Sequence, residues 1–249
     1  MFGSVIVYSG FVIATAGLIL CIKPIHRFHV ESRTQALVIV GIGAVLIGAG
    51  LTLPTRESRV KTMETRLDEF MPVWQFSERH TITVAAPPER VFEAIRNVRA
   101  NEISLFKTLT WIRRGGRRAP ESILNAGDSV PLLDVATRNG FIYLADDPPR
   151  ELVIGTVVIA PPVGRGASTP GTFKAQLAPG FAVAAMNFRV TPIGRDASLV
   201  STETRVFAND PSARRRFARY WRLIYPGSAL IRLMWLRAVE RRATDSAAR

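Results

Sequence analysis

Two unbroken apolar runs, residues 5–22 and 36–53, lead the chain, and beyond residue 75 they give way to period-two alternation and amphipathic spacing. Each run holds about 18 residues, close to the ~20 that carry a helix across a bilayer. Together they predict a transmembrane hairpin. A second run following so closely argues against a cleaved signal peptide. Small residues at i and i+4, Gly10 with Ala14 and Ala44 with Gly48, suit close packing of the two helices in lipid. Residues 55–75 are polar and mixed in charge and read as a tether. Trp74 and Phe76 then return apolar surface, and Trp74 is read as part of the domain core.

The stretch ERHTITVAAPPERVFEAIRNV, residues 78–98, organises the remainder of the chain. Residues 81–85 alternate as a short strand, and Pro87 and Pro88 end it. A helix starts at about Pro88, with Val91, Phe92 and Ile95 on its apolar face. Residues 101–114 follow a loose helical period and predict a second helix, closed by the RRGGRRAP segment at 113–120. Strands are predicted over 132–137, 141–145, 151–159, 171–177, 184–191 and 199–207, joined by short turn-like connectors into an antiparallel meander. A Pro/Gly-rich loop covers 160–171. Met186, Phe188 and Val190 share one strand face, and Val200, Thr202, Thr204 and Val206 share another. Arg189, Glu203 and Arg205 then read as outward cross-strand charges. From residue 211 to 243 apolar residues recur at near-helical spacing, with Pro226 and Gly227 expected to kink or divide the helix.

This order resembles the START-like (SRPBCC) superfamily, which includes the polyketide cyclase and dehydrase family and the birch-pollen-allergen family. The resemblance rests on the APPERVFEAI segment, the MNFRVTPIG to STETRVF hairpin and the helix from Arg214. It implies an α+β helix-grip fold: a curved antiparallel sheet around a long C-terminal helix, here preceded by two transmembrane helices, with a hydrophobic cavity between sheet and helix. The expected organisation is a hairpin over 1–55, a tether over 56–75, the helix-grip domain over 76–243 and a disordered tail over 244–249. The cavity wall is expected at Phe141, Met186, Phe188, Tyr220 and Ile224, each on the apolar face of its element. No constellation matches an active site of the enzymatic members, so no catalytic residue, metal or cofactor is expected. His80, flanked by Glu78 and Arg79, reads as a strand-edge residue, since acid–base chemistry needs partners that the sequence does not place.

Charge changes this picture in one respect. A formal net charge of +13, from 33 Lys plus Arg against 20 Asp plus Glu, calls for an anionic partner. The arginines beyond residue 214 suit anionic lipid headgroups. The four arginines of 113–120 read as a solvated loop, and specific nucleic-acid binding is not expected. The only cysteine, Cys21, excludes an intramolecular disulfide. Lys23, Arg27 and Arg33 between the runs favour a cytoplasmic loop and an outward-facing domain, although Arg56, Arg59, Lys61 and Arg66 nearly balance them. The expected function is that of a membrane-anchored binding module for a lipid or other hydrophobic small molecule. A cyclase- or hydrolase-like enzyme and a structural protein with a filled cavity are the alternatives.

Overall fold

The computed structural model describes residues 2–22, 32–160, 169–174 and 179–245. The chain divides into two compact units, one of Met1–Thr55 with Arg215–Tyr225, the other of Arg56–Arg214 with Pro226–Arg249.

In the first unit α1 (Phe2–Ile22) and α2 (Arg33–Thr52) are long and apolar enough to cross a membrane by length and composition. Ser32 caps α2, accepting from the Gln35 N–H while the Gln35 side chain accepts from the Ser32 N–H. The packing face repeats every seven residues on α2, at Ala36, Gly43 and Gly50, and uses Gly10 and Gly17 on α1. A Cβ on Gly43 would stand 2.5 Å from the Ala14 backbone nitrogen, so only glycine admits that approach. Gly10 and Ala14 thus meet α2 as expected, whereas Ala44 and Gly48 are exposed and Gly48 has open space around it. The Arg222 guanidinium donates to the carbonyls of Leu51 and Leu53 at the C-terminal end of α2. There it satisfies carbonyls that the helix itself leaves unpaired. The loop carrying Lys23 and Arg27 lies outside the described residues.

The second unit is built on a five-stranded antiparallel sheet in the order β3-β7-β6-β5-β4. Its strands are β3 (Phe76–Val84), β4 (Phe141–Asp147), β5 (Glu151–Ile159), β6 (Ala182–Pro192) and β7 (Ser198–Ala208). Register follows rows across the sheet. Glu78 pairs with Thr204, Thr204 with Met186, Met186 with Ile154 and Ile154 with Tyr143; the next row runs His80, Thr202, Phe188, Leu152. Residues in one row share a face. The inner face, with α4 (Pro88–Asn97), α6 (Leu132–Arg138) and residues 226–245 of α8 (Pro211–Asp245), forms the main core. The chain is therefore an α+β protein in which an antiparallel sheet grips a long C-terminal helix, with two apolar helices at its N-terminal end.

Several elements differ from the expectation. Residues 132–137 are helix, because Leu132, Leu133, Val135 and Ala136 are buried at helical spacing behind Pro131. Residues 171–177 are not a strand: Pro170–Lys174 is a short helix, α7, which buries Phe173, and 175–177 lie outside the described residues. Residues 101–114 form a 3-10 turn (Ala100–Glu102) and α5 (Phe106–Arg113), parted by Leu105 at φ 61. The strand expected over 81–85 is β3, which begins at Phe76 and ends at Val84. Pro226 does not divide α8, since the helix runs unbroken from Pro211 to Asp245, but it marks where α8 passes from one unit to the other. Thr244 and Asp245, placed in a disordered tail by the sequence pattern, close that helix.

Residues 56–75 are folded rather than a free tether. β1 (Ser58–Arg59) pairs with β2 (Val73–Trp74), and α3 (Arg66–Phe70) covers the outer face of the sheet. Leu67, Phe70 and Met71 pack there with Val153, Val183, Ala185 and Phe173, and Trp74 joins this second core. Of the three supposed outward charges, Arg205 is consequently roofed over, while Arg189 and Glu203 are half-buried. Arg205 is 6% exposed and donates to Asp68 at 2.6 Å, to Glu203 at 2.6 Å and to the Met71 carbonyl at 3.1 Å. Its guanidinium carbon also lies 4.0 Å from the Trp74 ring centroid. Asn187 donates to Glu151, which itself accepts from the Arg66 and Leu67 N–H groups that begin α3.

Candidate ligand-binding site

On the inner face, β3 alternates so that Phe76, Glu78, His80, Ile82 and Val84 point toward the helices. Glu78 is 2% exposed, yet neither carboxylate oxygen has a hydrogen-bond partner. His80 Nε2 stands 3.4 Å from Glu78 Oε1 without hydrogen-bond alignment. Thr204 Oγ1, next to Glu78 in register, and Trp235 Nε1 on α8 are likewise buried and unpartnered. Thr202, by contrast, donates to the Asn187 carbonyl.

α8 brings the opposing charge. Arg232 contacts the Met186 sulfur, and its guanidinium carbon lies 5.5 Å from the Trp235 ring centroid. Burial pulls the guanidinium down to about 10, opposed by the attraction of the Glu78 carboxylate and aided by repulsion from Arg113. Trp235 packs on Phe188 with ring centroids 5.1 Å apart. Acceptors on β3 and β7, donors on α8 and an aromatic and thioether wall thus lie along two neighbouring rows of the sheet. A buried carboxylate without donors is costly, and such groups are uncommon in folded interiors.

Of the five residues expected in the cavity wall, Phe141, Met186 and Phe188 lie on this inner face, Met186 and Phe188 buried and Phe141 half-buried. Tyr220 and Ile224 do not join them. They sit on α8 before Pro226, in the stretch that belongs to the compact unit of α1 and α2, where Phe217, Tyr220, Trp221 and Tyr225 pack ring against ring. Ile231, Met234 and Trp235, two to three turns further on, face the sheet in their place. Glu78, His80 and Arg232 had no part in the expected site. The signal for the first two was present: an acid and a histidine at alternate positions on the same strand face as Phe76, Ile82 and Val84. Arg232 gives no comparable signal among the many arginines of α8.

Two open clefts lie elsewhere in this unit. One of about 410 Å³ is on the outer face beside Lys61, Arg79 and Arg189. The other, about 760 Å³, runs along α5 beside Phe106, Trp111 and Asn125. Among the described residues no group of three or more His, Cys, Asp or Glu is placed to hold a metal ion.

No protein-family model and no curated protein sequence matches the chain. Among solved structures it is similar to a protein from Mesorhizobium loti, at 13% identity over 69% of this chain and 98% of that one, with a TM-score of 0.31. A protein from Thermus thermophilus is similar at 12% identity, over 69% of this chain and 99% of that one, with a TM-score of 0.28. The Zhui aromatase/cyclase of a Streptomyces species is similar at 12% identity, over 67% and 94%, with a TM-score of 0.26. No residue role passes from any of them to this chain.

Proposed function

We propose that this chain is a membrane-anchored binding module for a lipid or other hydrophobic small molecule, taken up between the inner face of the sheet and residues 226–245. The observation that carries this reading is the set of buried, unpartnered polar atoms at Glu78, Thr204 and Trp235 on a face whose remaining residues, His80 and Thr202 aside, are largely apolar. A ligand that reached them would repay a desolvation cost that the protein alone leaves standing. The two apolar helices support the anchor by length and composition. The arginines of the first part of α8, Arg215, Arg216 and Arg219, stand among Phe217, Tyr220, Trp221 and Tyr225, a combination suited to anionic headgroups at the membrane surface. The charge rule favours the large unit on the outer side.

The test is a solvent extract of the full-length protein, purified gently from its own membranes and analysed by mass spectrometry. A hydrophobic compound should be present in the extract. Ala184→Trp, which enlarges the residue paired with Val206 in the neighbouring row, should lower its yield. An extract no richer than that of an unrelated membrane protein refutes the reading.

A second reading, a cyclase- or hydrolase-like enzyme, is favoured by one observation: Glu78, His80 and Arg232 converge on one face, and convergent titratable groups are what acid–base chemistry requires. Chemical conversion of the retained compound, lost in His80→Asn with binding intact, would select it.

A further inference from the structure

We infer that the exposed side of α5 and the turn after it, residues 105–118, form a second membrane contact. Leu105, Trp111 and Ile112 enter the lipid interface, and Arg117 and Arg118 meet anionic headgroups. The inference rests on the membrane anchor of the reading above and not on its ligand. α5 buries Phe106 and Thr110 on one side and turns Lys107, Thr108, Trp111 and Ile112 to solvent. Trp111 is 55% exposed and Ile112 59%, and Leu105, which precedes the helix, is 55% exposed. Three large apolar side chains this close in sequence, rimmed by cations, are more than the scattered singles of an ordinary surface. Leu105 is also the one non-glycine residue at positive φ among those described, at 61°, a region that bulky side chains rarely occupy.

The turn ties the arginines to the tryptophan. Gly115 and Gly116 take positive φ, and the Arg114 and Gly116 N–H groups both donate to the Trp111 carbonyl. A Cβ on Gly116 would stand 3.1 Å from the Trp111 ring, so the turn lies against the indole. Arg114 donates to the Arg117 carbonyl at 2.8 Å and closes the turn from inside. Arg117 and Arg118 are exposed and have no acidic partner among the described residues, whereas Lys107 is paired with Asp128. The arginines expected in a solvated loop thus stand on a hydrogen-bonded turn beside an exposed indole and an exposed isoleucine. That combination suits a bilayer interface, where the ring takes the headgroup level and the guanidinium groups face phosphate. A nucleic-acid backbone would answer the arginines and leave Leu105 and Ile112 in water. The anchoring helices α1 and α2 supply the lipid surface.

Cys21, the only cysteine and part of α1, allows the anchor and the contact to be read separately. The full chain carries an NBD fluorophore at Cys21, or at position 112 of Cys21→Ser/Ile112→Cys. Each is placed in phosphatidylcholine nanodiscs with or without phosphatidylglycerol, and nitroxide-labelled lipid is the quencher. Both labels should be quenched in the anionic nanodiscs. At position 112 the quenching should fall at least about twofold in neutral nanodiscs, and likewise when Arg117→Gln/Arg118→Gln is added, because each cation beside an anionic surface helps to hold it there. Quenching at Cys21 should not change. Quenching at Cys21 alone overturns the contact and leaves the anchor standing, and quenching at neither overturns the anchor as well. Equal quenching of position 112 in neutral and anionic nanodiscs overturns the role given to the arginines. A blue-shifted but unquenched label there overturns lipid as the occupant, in favour of protein such as a second copy of the chain. Trp111 provides the same test without a label: brominated lipid should dim the native chain more than Trp111→Phe, and equal dimming overturns the contact.

Discussion

On the outer face of the sheet, Arg205 is held by Asp68, Glu203 and the Met71 carbonyl beneath α3, with Trp74 stacked on it. On the inner face of the same sheet, Glu78 is as deeply buried and has no donor, while Arg232 rests on sulfur and an aromatic ring. Both faces bury an acid and carry an arginine, Arg205 buried and Arg232 half-buried, so residue type does not distinguish them. What distinguishes them is satisfaction. The outer network is complete within the protein and so reads as part of the fold, holding residues 57–75 against the sheet. The inner set is incomplete within the protein and so reads as prepared for something else.

Breaking the outer network should have the larger effect. Arg205→Ala leaves Asp68 and Glu203 buried without their common cation, and should lower unfolding stability by about 3–5 kcal/mol. Denaturant unfolding of the purified chain measures it, and a loss below about 1 kcal/mol, the level of an exposed pair, would mean that the outer network is not structural. Next in size comes the inner face, with the opposite sign. Glu78→Leu/Arg232→Met replaces two poorly satisfied charges by apolar groups, and should raise stability by about 1–4 kcal/mol in the same measurement. A loss comparable to that of Arg205→Ala would show the two faces to be alike.

The smallest effect is one of pH. Burial pushes the Asp68 carboxyl up, but hydrogen bonds from the Glu64 N–H, Arg205 and Thr65, together with the Arg205 charge, outweigh it and hold the group below the usual carboxylate range. A carboxyl depressed in the folded state contributes stability above its unfolded value, about 3.9, and loses it as pH falls through the folded value. Stability should therefore fall on acidification below about pH 4. Asp68→Asn should lower the plateau above that range and flatten the acid limb. An unchanged acid limb in Asp68→Asn would assign it to other carboxylates.

Local pattern was enough for β4, β5, β6 and β7, the helix at Pro88, the length of α8 and the two apolar helices, because strand alternation and helical period are written in near neighbours, but not for residues 171–177, where a short helix stands in place of the expected strand. It misread residues 132–137, where a short apolar stretch suits either period and only packing against α4 and β4 settles on helix. It also treated residues 56–75 as a tether, because the contacts that fold them reach Glu151 and Arg205, far along the chain.

The site divides in the same way. Alternation by itself placed Met186 and Phe188 on one face, and it held, unread, the fact that Glu78 and His80 share a face with Ile82 and Val84. It could not say that Arg232 rather than any other arginine of α8 would oppose them, nor that Tyr220 and Ile224 would pack in the other compact unit. Those choices depend on which turn of α8 lies over which row of the sheet. That alignment is set by the fit of Trp235 against Phe188 and of Arg232 against Met186, contacts between residues about 45 positions apart, for which no local period exists.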